Sequence, residues 1–123
     1  EGATWESLQL ASAESLTNLK VIVDINGMQV DGPMKEIMPI EPIGDKFAAF
    51  GWQVFEVDGN DVDAITAACK KAQSSDKPTA ILCRTKPWTG FTFLKKRWDD
   101  KKLHFIRLTE SEREELEKEI AAS

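Results

Sequence analysis

Short apolar runs and amphipathic stretches alternate along the chain, and this alternation predicts its secondary structure. Apolar residues that recur at steps of three and four indicate helices, whereas short runs of β-branched and other apolar residues indicate strands. The predicted order is helix, strand, helix, strand, helix, strand and helix, over residues 3–17, 20–25, 43–50, 52–57, 62–74, 79–83 and 109–121. Strands that alternate with helices favour right-handed crossovers between parallel strands. The sequence therefore predicts an α/β fold with a parallel sheet and flanking helices.

Individual residues mark the ends of several predicted elements. Asp61 is a good N-cap for the helix that follows it, and Thr109 and Glu112 have the spacing of a capping box. Gly51 is suited to ending the helix before it. The strand over 20–25 is apolar at successive positions, which is typical of a parallel strand covered on both faces.

Composition and charge narrow the classes of partner. The chain has 123 residues and a net charge of −5, which argues against nucleic-acid and membrane-surface partners because both need a basic footprint. The basic cluster Lys95-Lys96-Arg97 is followed closely by Asp99 and Asp100, as on a solvated face. No apolar run approaches the ~20 residues that span a bilayer. Cys69 and Cys83 lack metal-ligand spacing, so we expect buried free thiols and a cytoplasmic protein.

The number of predicted strands suggests an incomplete domain. Doubly wound domains have about five or six strands, whereas three are predicted here. The chain also opens at Glu1-Gly2, without an initiator Met and as though a helix were already in progress. We therefore expect residues 1–123 to form a single partial domain of a longer protein or of a split subunit.

The segment from Val21 to Gly32 carries the most specific candidate chemistry. An apolar strand ends at Asn26 and opens into a loop with Gly27, and ligands of open α/β sheets lie at the carboxyl ends of strands. Mg²⁺ and Ca²⁺ prefer oxygen ligands, which the Asn26 amide and the Met28 carbonyl could supply. The alternative is an ordinary polar turn, since Asn-Gly is a common turn pair. A loop as long as the one over 26–41 is usually functional or disordered.

Six ordered segments of the chain resemble the transketolase family. The similarity runs from Glu1 to about Thr85 and includes the Asn26 loop. The segments are Glu1-Gly2-x-x-Trp5-Glu6, Leu16-x-Asn18-Leu19 with Val23-Asp24-Ile25-Asn26, Gln29-Val30-Asp31-Gly32, Asp45-Lys46-Phe47-x-Ala49-Phe50-Gly51-Trp52, Val57-Asp58-Gly59-Asn60-Asp61, and Lys77-Pro78-Thr79-Ala80-Ile81. Together, in order and at compatible spacing, they are far more specific than any one of them.

The resemblance implies a fold, an activity and a set of site residues. It implies the carboxyl-side portion of a domain that binds thiamine diphosphate with Mg²⁺ or Ca²⁺, in an enzyme that transfers two-carbon ketol units between sugar phosphates. Asn26 would ligate the metal through its side chain and Met28 through its carbonyl, and Val30 would pack near the cofactor. Glu1 and Glu6 match acidic positions that link the two active sites of a dimer through protons. The alternative for both glutamates is a solvated first helical turn.

Other parts of the chain depart from the family pattern. The family's Gly-Asp-Gly, which supplies another metal ligand, is not in this chain, and its T-x-KG-x-G segment appears here as Thr85-Lys86-Pro87-Trp88-Thr89-Gly90. Its Trp-His-Gly appears as Trp98-Asp99-Asp100, and the single histidine is His104. Residues 85–108 are therefore a divergent loop region ahead of the terminal helix 109–121. We expect the isolated chain to be inactive.

The departures imply partners and leave alternatives open. The remaining site residues would come from upstream and downstream segments or from subunits of the same enzyme, in a homodimer or hetero-oligomer. His104 either reaches the site by a changed loop path or is structural. The aromatic residues of 88–98 either line a substrate channel or pack the loop. A non-catalytic assembly module of the same fold is the alternative function, and a generic Rossmann-like binder is less favoured because no G-x-G-x-x-G follows a strand.

Overall fold

The computed structural model describes residues 2–102 and 107–122. All seven predicted helices and strands are present in the predicted order, and four further elements lie in the two regions predicted as loops, 26–41 and 85–108. The elements are α1 (Gly2–Ala13), β1 (Lys20–Ile25), β2 (Met28–Gln29), β3 (Gly32–Pro33), α2 (Met34–Ile37), α3 (Ile43–Ala49), β4 (Gln53–Asp58), α4 (Val62–Gln73), β5 (Thr79–Arg84), α5 (Thr92–Asp99) and α6 (Glu110–Ala122). The chain divides into two compact units, the first comprising residues up to Asn26 with Pro39–Thr85, and the second Gly27–Met38 with the residues from Lys86 onward.

The first unit contains a three-stranded parallel sheet in the order β1-β5-β4. Both outer strands pair with β5 in matching register, so that Thr79 lies between Lys20 and Gln53. At the other end of the sheet, Arg84 lies between Ile25 and Asp58. The predicted parallel α/β fold is thus confirmed. Because the register is the same on both sides, the carboxyl ends of the strands are aligned.

Two apolar clusters cover the two faces of β5. Leu82 belongs to one cluster, which includes buried residues of α1 and α3, and Ile81 belongs to the other, which is built on α4. Strand side chains alternate between faces, so consecutive residues of β5 enter different clusters. A buried hydrogen bond of 2.9 Å from Trp52 Nε1 to the Leu8 carbonyl fastens the first cluster to α1. This arrangement explains why β5 is the most completely buried strand.

The predicted caps are present. The Asp61 carboxylate accepts from the backbone N–H groups of Asp63 and Ala64, at 2.9 and 3.0 Å, and opens α4. In the second unit, Glu112 accepts from the Thr109 N–H at 2.8 Å, and its own N–H donates to the Thr109 hydroxyl at 3.4 Å. The backbone bond from Thr109 holds the pKa of the Glu112 carboxyl below its ordinary value. Both caps use oxygen acceptors for N–H groups that a helix leaves without partners.

The first helix is shorter than predicted, because a left-handed residue ends it. It stops at Ala13 rather than at residue 17, and Ser15 has a φ of 52°. The Leu16 N–H donates to the Ala11 carbonyl at 2.9 Å, which is the long bond of a Schellman motif. Glycine usually occupies that left-handed position, so the sequence carried no clear stop signal. Gly51, with a φ of 86°, follows α3 in the predicted way.

The prediction that both faces of β1 are covered is wrong for the described residues. Ile22 is 61% exposed, because the apolar cluster on its face of the sheet joins α4 to β4 and β5 and includes no residue of β1. The loop predicted over 26–41 is also partly regular, since it holds the short antiparallel pair β2–β3 and the helix α2. Of the two cysteines, both free, Cys83 is buried as expected whereas Cys69 is only half-buried.

Leu82 provides a test of how much the core depends on β5. The side chain is fully buried, at 0% exposure, so Leu82→Ala should lower the free energy of unfolding by about 2–5 kcal/mol through lost apolar contact and a residual cavity. Leu10→Ala is the matched control, because Leu10 is 61% exposed on α1. Urea denaturation should show a change of less than about 0.5 kcal/mol for this control. Equal losses for the two variants would contradict the arrangement of the core.

Candidate functional site

The carboxyl end of the sheet brings together residues from three separate parts of the sequence. Asp24 and Asn26 lie at the end of β1, Thr85 follows β5, and Gly59 follows β4. The shared register of the three strands places these ends side by side. This is the edge at which open α/β sheets bind ligands.

Asn26 is held in this edge by a short chain of hydrogen bonds. Its Nδ2 donates to Asp24 Oδ2 at 3.4 Å, and the Thr85 hydroxyl donates to Asp24 Oδ1. The Thr85 N–H donates to the Ile25 carbonyl at 3.2 Å, which extends the β1–β5 pairing by one residue. The sequence-predicted ligand Asn26 is thus connected to β5 through Asp24.

Gly59 approaches the end of β5 so closely that no larger residue fits. A Cβ placed on Gly59 would lie 2.4 Å from Thr85 Cγ2 and 2.9 Å from Cys83 Cβ. Contacts under about 3 Å require the neighbouring atoms to move, and the short β-branched Thr85 side chain has little freedom to do so. The backbone of Gly59 therefore confines the side chain of Thr85.

An ion cluster occupies the same edge beside this network. Arg84 Nε donates to Glu56 Oε1 at 2.8 Å, and the Arg84 guanidinium also forms a two-atom pair with Glu41. Glu41 additionally accepts from the Ile43 N–H at 2.9 Å, at the start of α3. The hydrogen bond from Arg84 holds the pKa of the Glu41 carboxyl below its ordinary value, and the two carboxylates raise the pKa of Arg84. Arg84 thus stays charged and ties β5 to β4 and to the segment before α3.

Sequence reasoning missed most of this network. Asp24 and Thr85 are separated by 61 positions, and Arg84 and Glu41 by 43. The signal available in the sequence was the set of polar residues that directly follow the predicted strands. Pairing them requires the strand register, which the hydrophobic pattern does not supply.

Met28 and Val30 lie in the second unit, on a small antiparallel hairpin. Gly27 has a φ of 78°, and its carbonyl accepts from the Met34 N–H at 2.9 Å, which closes the small β2–β3 hairpin. Met28 is half-buried and pairs with Pro33, whereas Val30 at the hairpin tip is 60% exposed. Glycine adopts this left-handed conformation at no steric cost, which explains why the chain can turn there.

Of the two glutamates in the predicted proton link, the structure describes Glu6. Glu6 is exposed on α1, whose first turn carries no acidic residue in the described part of the helix. Glu1 lies outside the described residues, and so does His104. The roles predicted for Glu1, Glu6 and His104 therefore stay predictions.

The donor set suits a hard cation with additional ligands. Within residues 2–102 and 107–122, no cluster of three or more His, Cys, Asp or Glu side chains could hold a metal ion. The Asn26 amide oxygen is nonetheless a neutral oxygen donor of the kind that Mg²⁺ and Ca²⁺ accept, and Mg²⁺ is commonly bound with substrate or cofactor phosphates. The residues present fit such a metal as part of its ligand shell.

The aromatic residues of the second unit pack against one another. The Trp88 and Trp98 rings have centroids 4.5 Å apart, and Lys95 Nζ lies 5.5 Å from the centroid of the Trp88 ring. Phe93 is buried on α5. These contacts favour the packing alternative over a substrate channel for this region.

None of the helices that the structure describes has the length and apolar character needed to cross a bilayer.

Comparisons with known proteins identify the family to which the chain belongs. The model of the transketolase thiamine diphosphate binding domain matches residues 1–120. The chain is 43% identical over 114 residues to a transketolase family protein of Sinorhizobium fredii, covering 91% of this chain and 40% of that protein. It is 38% identical over 111 residues to the 6-deoxy-6-sulfo-D-fructose transketolase subunit of a Clostridium strain, covering 89% of this chain and 39% of that subunit.

The solved structures agree. Transketolase from Campylobacter jejuni superposes with a TM-score of 0.65 and 30% identity, over 68% of this chain and 13% of that one. Fold and sequence together define a cofactor-binding α/β domain. The chain belongs to the transketolase family and matches its thiamine diphosphate binding domain. It spans 40% or less of the length of these relatives.

The Glu41–Arg84 pair should make part of the stability pH-dependent. A carboxyl whose pKa is lowered by folding stabilises the protein above its unfolded pKa, ordinarily 4.5, and this contribution disappears as the pH falls through the lower folded value. Glu41→Gln should therefore cost less than about 1 kcal/mol at pH 7, because the pair is partly exposed, and should flatten the loss of stability below pH 4.5. Urea denaturation across pH measures this, with the exposed Glu14→Gln as control. An unchanged acid limb would contradict the role of the pair.

The contact at Gly59 gives a second stability test. Gly59→Ala should destabilise the protein by about 1–3 kcal/mol, because the new methyl group overpacks Thr85 and Cys83. Gly2→Ala is the control, since its Cβ would meet no atom within 4 Å. Thermal and urea denaturation should separate the two variants. A neutral Gly59→Ala would show that the turn after β4 can move away from β5.

Proposed function

We propose that this chain is the cofactor-anchoring part of a transketolase-like transferase. The complete protein binds thiamine diphosphate with Mg²⁺ or Ca²⁺ and transfers two-carbon ketol units between sugar phosphates. The observation that carries the proposal is the position of Asn26, at the carboxyl edge of a parallel sheet in a chain that matches the family's thiamine diphosphate binding domain. An amide oxygen at such an edge suits a cation that accompanies a diphosphate.

In this proposal the chain binds and orients while the cofactor carries the carbon chemistry. When bound, thiamine diphosphate stabilises carbanions. Asn26 gives its side-chain oxygen to the metal, Met28 gives its backbone carbonyl, and Val30 offers an apolar contact to the cofactor. Glu1 and Glu6 belong to a proton link between the active sites of two copies or subunits. These assignments rest on the family resemblance of the residues.

The proposal includes partners. The relative from Clostridium is named as a subunit, and this chain spans 39% of it. We therefore expect residues 1–123 to act as a partial domain, completed by other segments or subunits in a homodimer or hetero-oligomer. The isolated chain should be inactive. The free thiols Cys69 and Cys83 support a cytoplasmic location, where a reducing milieu keeps thiols unpaired.

A non-catalytic assembly module of the same fold is the second candidate. The segment from Thr85 to Asp100 favours it, because there the chain departs from the family's sequence and Trp88 and Trp98 pack on each other. Such a module would keep the α/β fold and lack metal-dependent cofactor binding. Binding measurements on the complete protein distinguish the two candidates.

The test is calorimetric titration of the complete assembled protein with thiamine diphosphate at fixed Mg²⁺. Asn26→Ala should weaken binding by at least about tenfold, since even outer-shell changes at metal sites cause losses of this size. Asn18→Ala is the control, because Asn18 is exposed at the opposite end of β1. Saturable binding unchanged by Asn26→Ala would refute the metal role. Failure of the unmodified protein to bind the cofactor would favour the assembly module.

A further inference from the structure

We propose that Asp24 and Thr85 are positioning residues that fix which end of the Asn26 amide faces the metal. The inference rests on the proposed function, because it takes Asn26 as a metal ligand. It adds two residues, one on β1 and one directly after β5, whose only role toward the metal is to orient that ligand. Neither side chain needs to touch the metal for the effect.

The argument begins with the chemistry of the two ends of an amide. The Asn26 amide carries a donor at Nδ2 and an acceptor at Oδ1, and only the oxygen can ligate a cation. An ionised carboxylate only accepts hydrogen bonds, so it can face Nδ2 and repels Oδ1. Asp24 Oδ2 lies 3.4 Å from Asn26 Nδ2. The carboxylate therefore turns the amide oxygen away from itself and selects one of the two flipped orientations.

The orientation of Asp24 is itself fixed from β5. The Thr85 hydroxyl donates to Asp24 Oδ1, which leaves Oδ2 to the amide of Asn26. The Thr85 backbone is anchored by its N–H bond to the Ile25 carbonyl, and its methyl group faces the Gly59 backbone, where no larger side chain fits. A β-branched side chain confined in this way has one preferred rotamer. The chain of contacts thus runs from Gly59 through Thr85 and Asp24 to Asn26.

A purely structural tie between β1 and β5 would use the same hydrogen bonds. It would change the stability of the protein and leave the affinity for metal unaltered in the folded molecules. A positioning role changes metal affinity, as outer-shell partners of metal ligands do in general. The affinity for Mg²⁺ at saturating thiamine diphosphate is therefore the deciding measurement, with the melting temperature recorded alongside.

The variants separate hydrogen bonding from charge and from folding. Thr85→Val keeps the shape of the side chain and removes the hydroxyl without changing any charge, whereas Thr85→Ser retains the hydroxyl. Asp24→Asn keeps the shape and lets the amide nitrogen of the new side chain donate to Asn26 Oδ1, which favours the reversed Asn26 amide. Asp76→Asn removes the same charge from an exposed turn before β5, at the opposite end of the sheet.

In the complete assembled protein, Thr85→Val and Asp24→Asn should weaken Mg²⁺ binding by about 10–100-fold. Thr85→Ser, which keeps the hydroxyl and loses the confining methyl group, should weaken Mg²⁺ binding less than Thr85→Val does, and Asp76→Asn should stay within about twofold of the unmodified protein, well below the change expected for an outer-shell partner. If Asn26→Ala weakens Mg²⁺ binding while Thr85→Val and Asp24→Asn do not, the positioning role is refuted and the proposed function stands. If only the melting temperature falls, the network is a structural tie and the inference is overturned. If Asn26→Ala itself has no effect, the proposed function fails and this inference fails with it.

Discussion

The pairing of β5 with a parallel neighbour on each side is the constraint on which the first unit depends. Because the two pairings share one register, they bury the centre of β5 between two apolar clusters and align the ends of all three strands. Asn26, Thr85 and Gly59 are far apart in the sequence, yet this single alignment places them at one edge. A shift of one residue in either pairing would turn the side chains of that strand to the opposite faces of the sheet, and the residues at this edge would no longer lie side by side.

The balance of charge at this edge bears on what can bind there. The positive charge of Arg84 is already paired with Glu41 and Glu56. Asp24 and Asp58, near the ends of the neighbouring strands, add further negative charge. A diphosphate approaching these carboxylates would meet like charge. A divalent cation between the two would reverse that interaction, since it attracts both. The proposed metal would thus have an electrostatic as well as a geometric reason to accompany the cofactor.

Local signals allowed much of the fold to be predicted, and long-range pairing explains what could not be. The apolar run in β5, the Asp61 cap and the Thr109 capping box act over a few residues, and the structure confirms them. The end of α1 was predicted wrongly because Ser15 adopts a left-handed conformation, which a serine in the sequence does not indicate. For the candidate site, Asn26 could be singled out from the strand end it follows. Its connection to Thr85 could not, because it depends on the register between β1 and β5.

The buried thiol of Cys83 can report how often the central strand opens. Cys83 lies next to Arg84 in β5, and burial raises the pKa of its thiol, with Asp24 and Cys69 adding to the effect. A reagent that modifies thiolates needs both access and deprotonation, and the folded strand makes both less favourable for Cys83. The rate at which such a reagent modifies Cys83, compared with half-buried Cys69, would measure how often the centre of the sheet opens. The chain therefore contains a chemical probe of local opening, one residue away from the ion cluster that borders its candidate site.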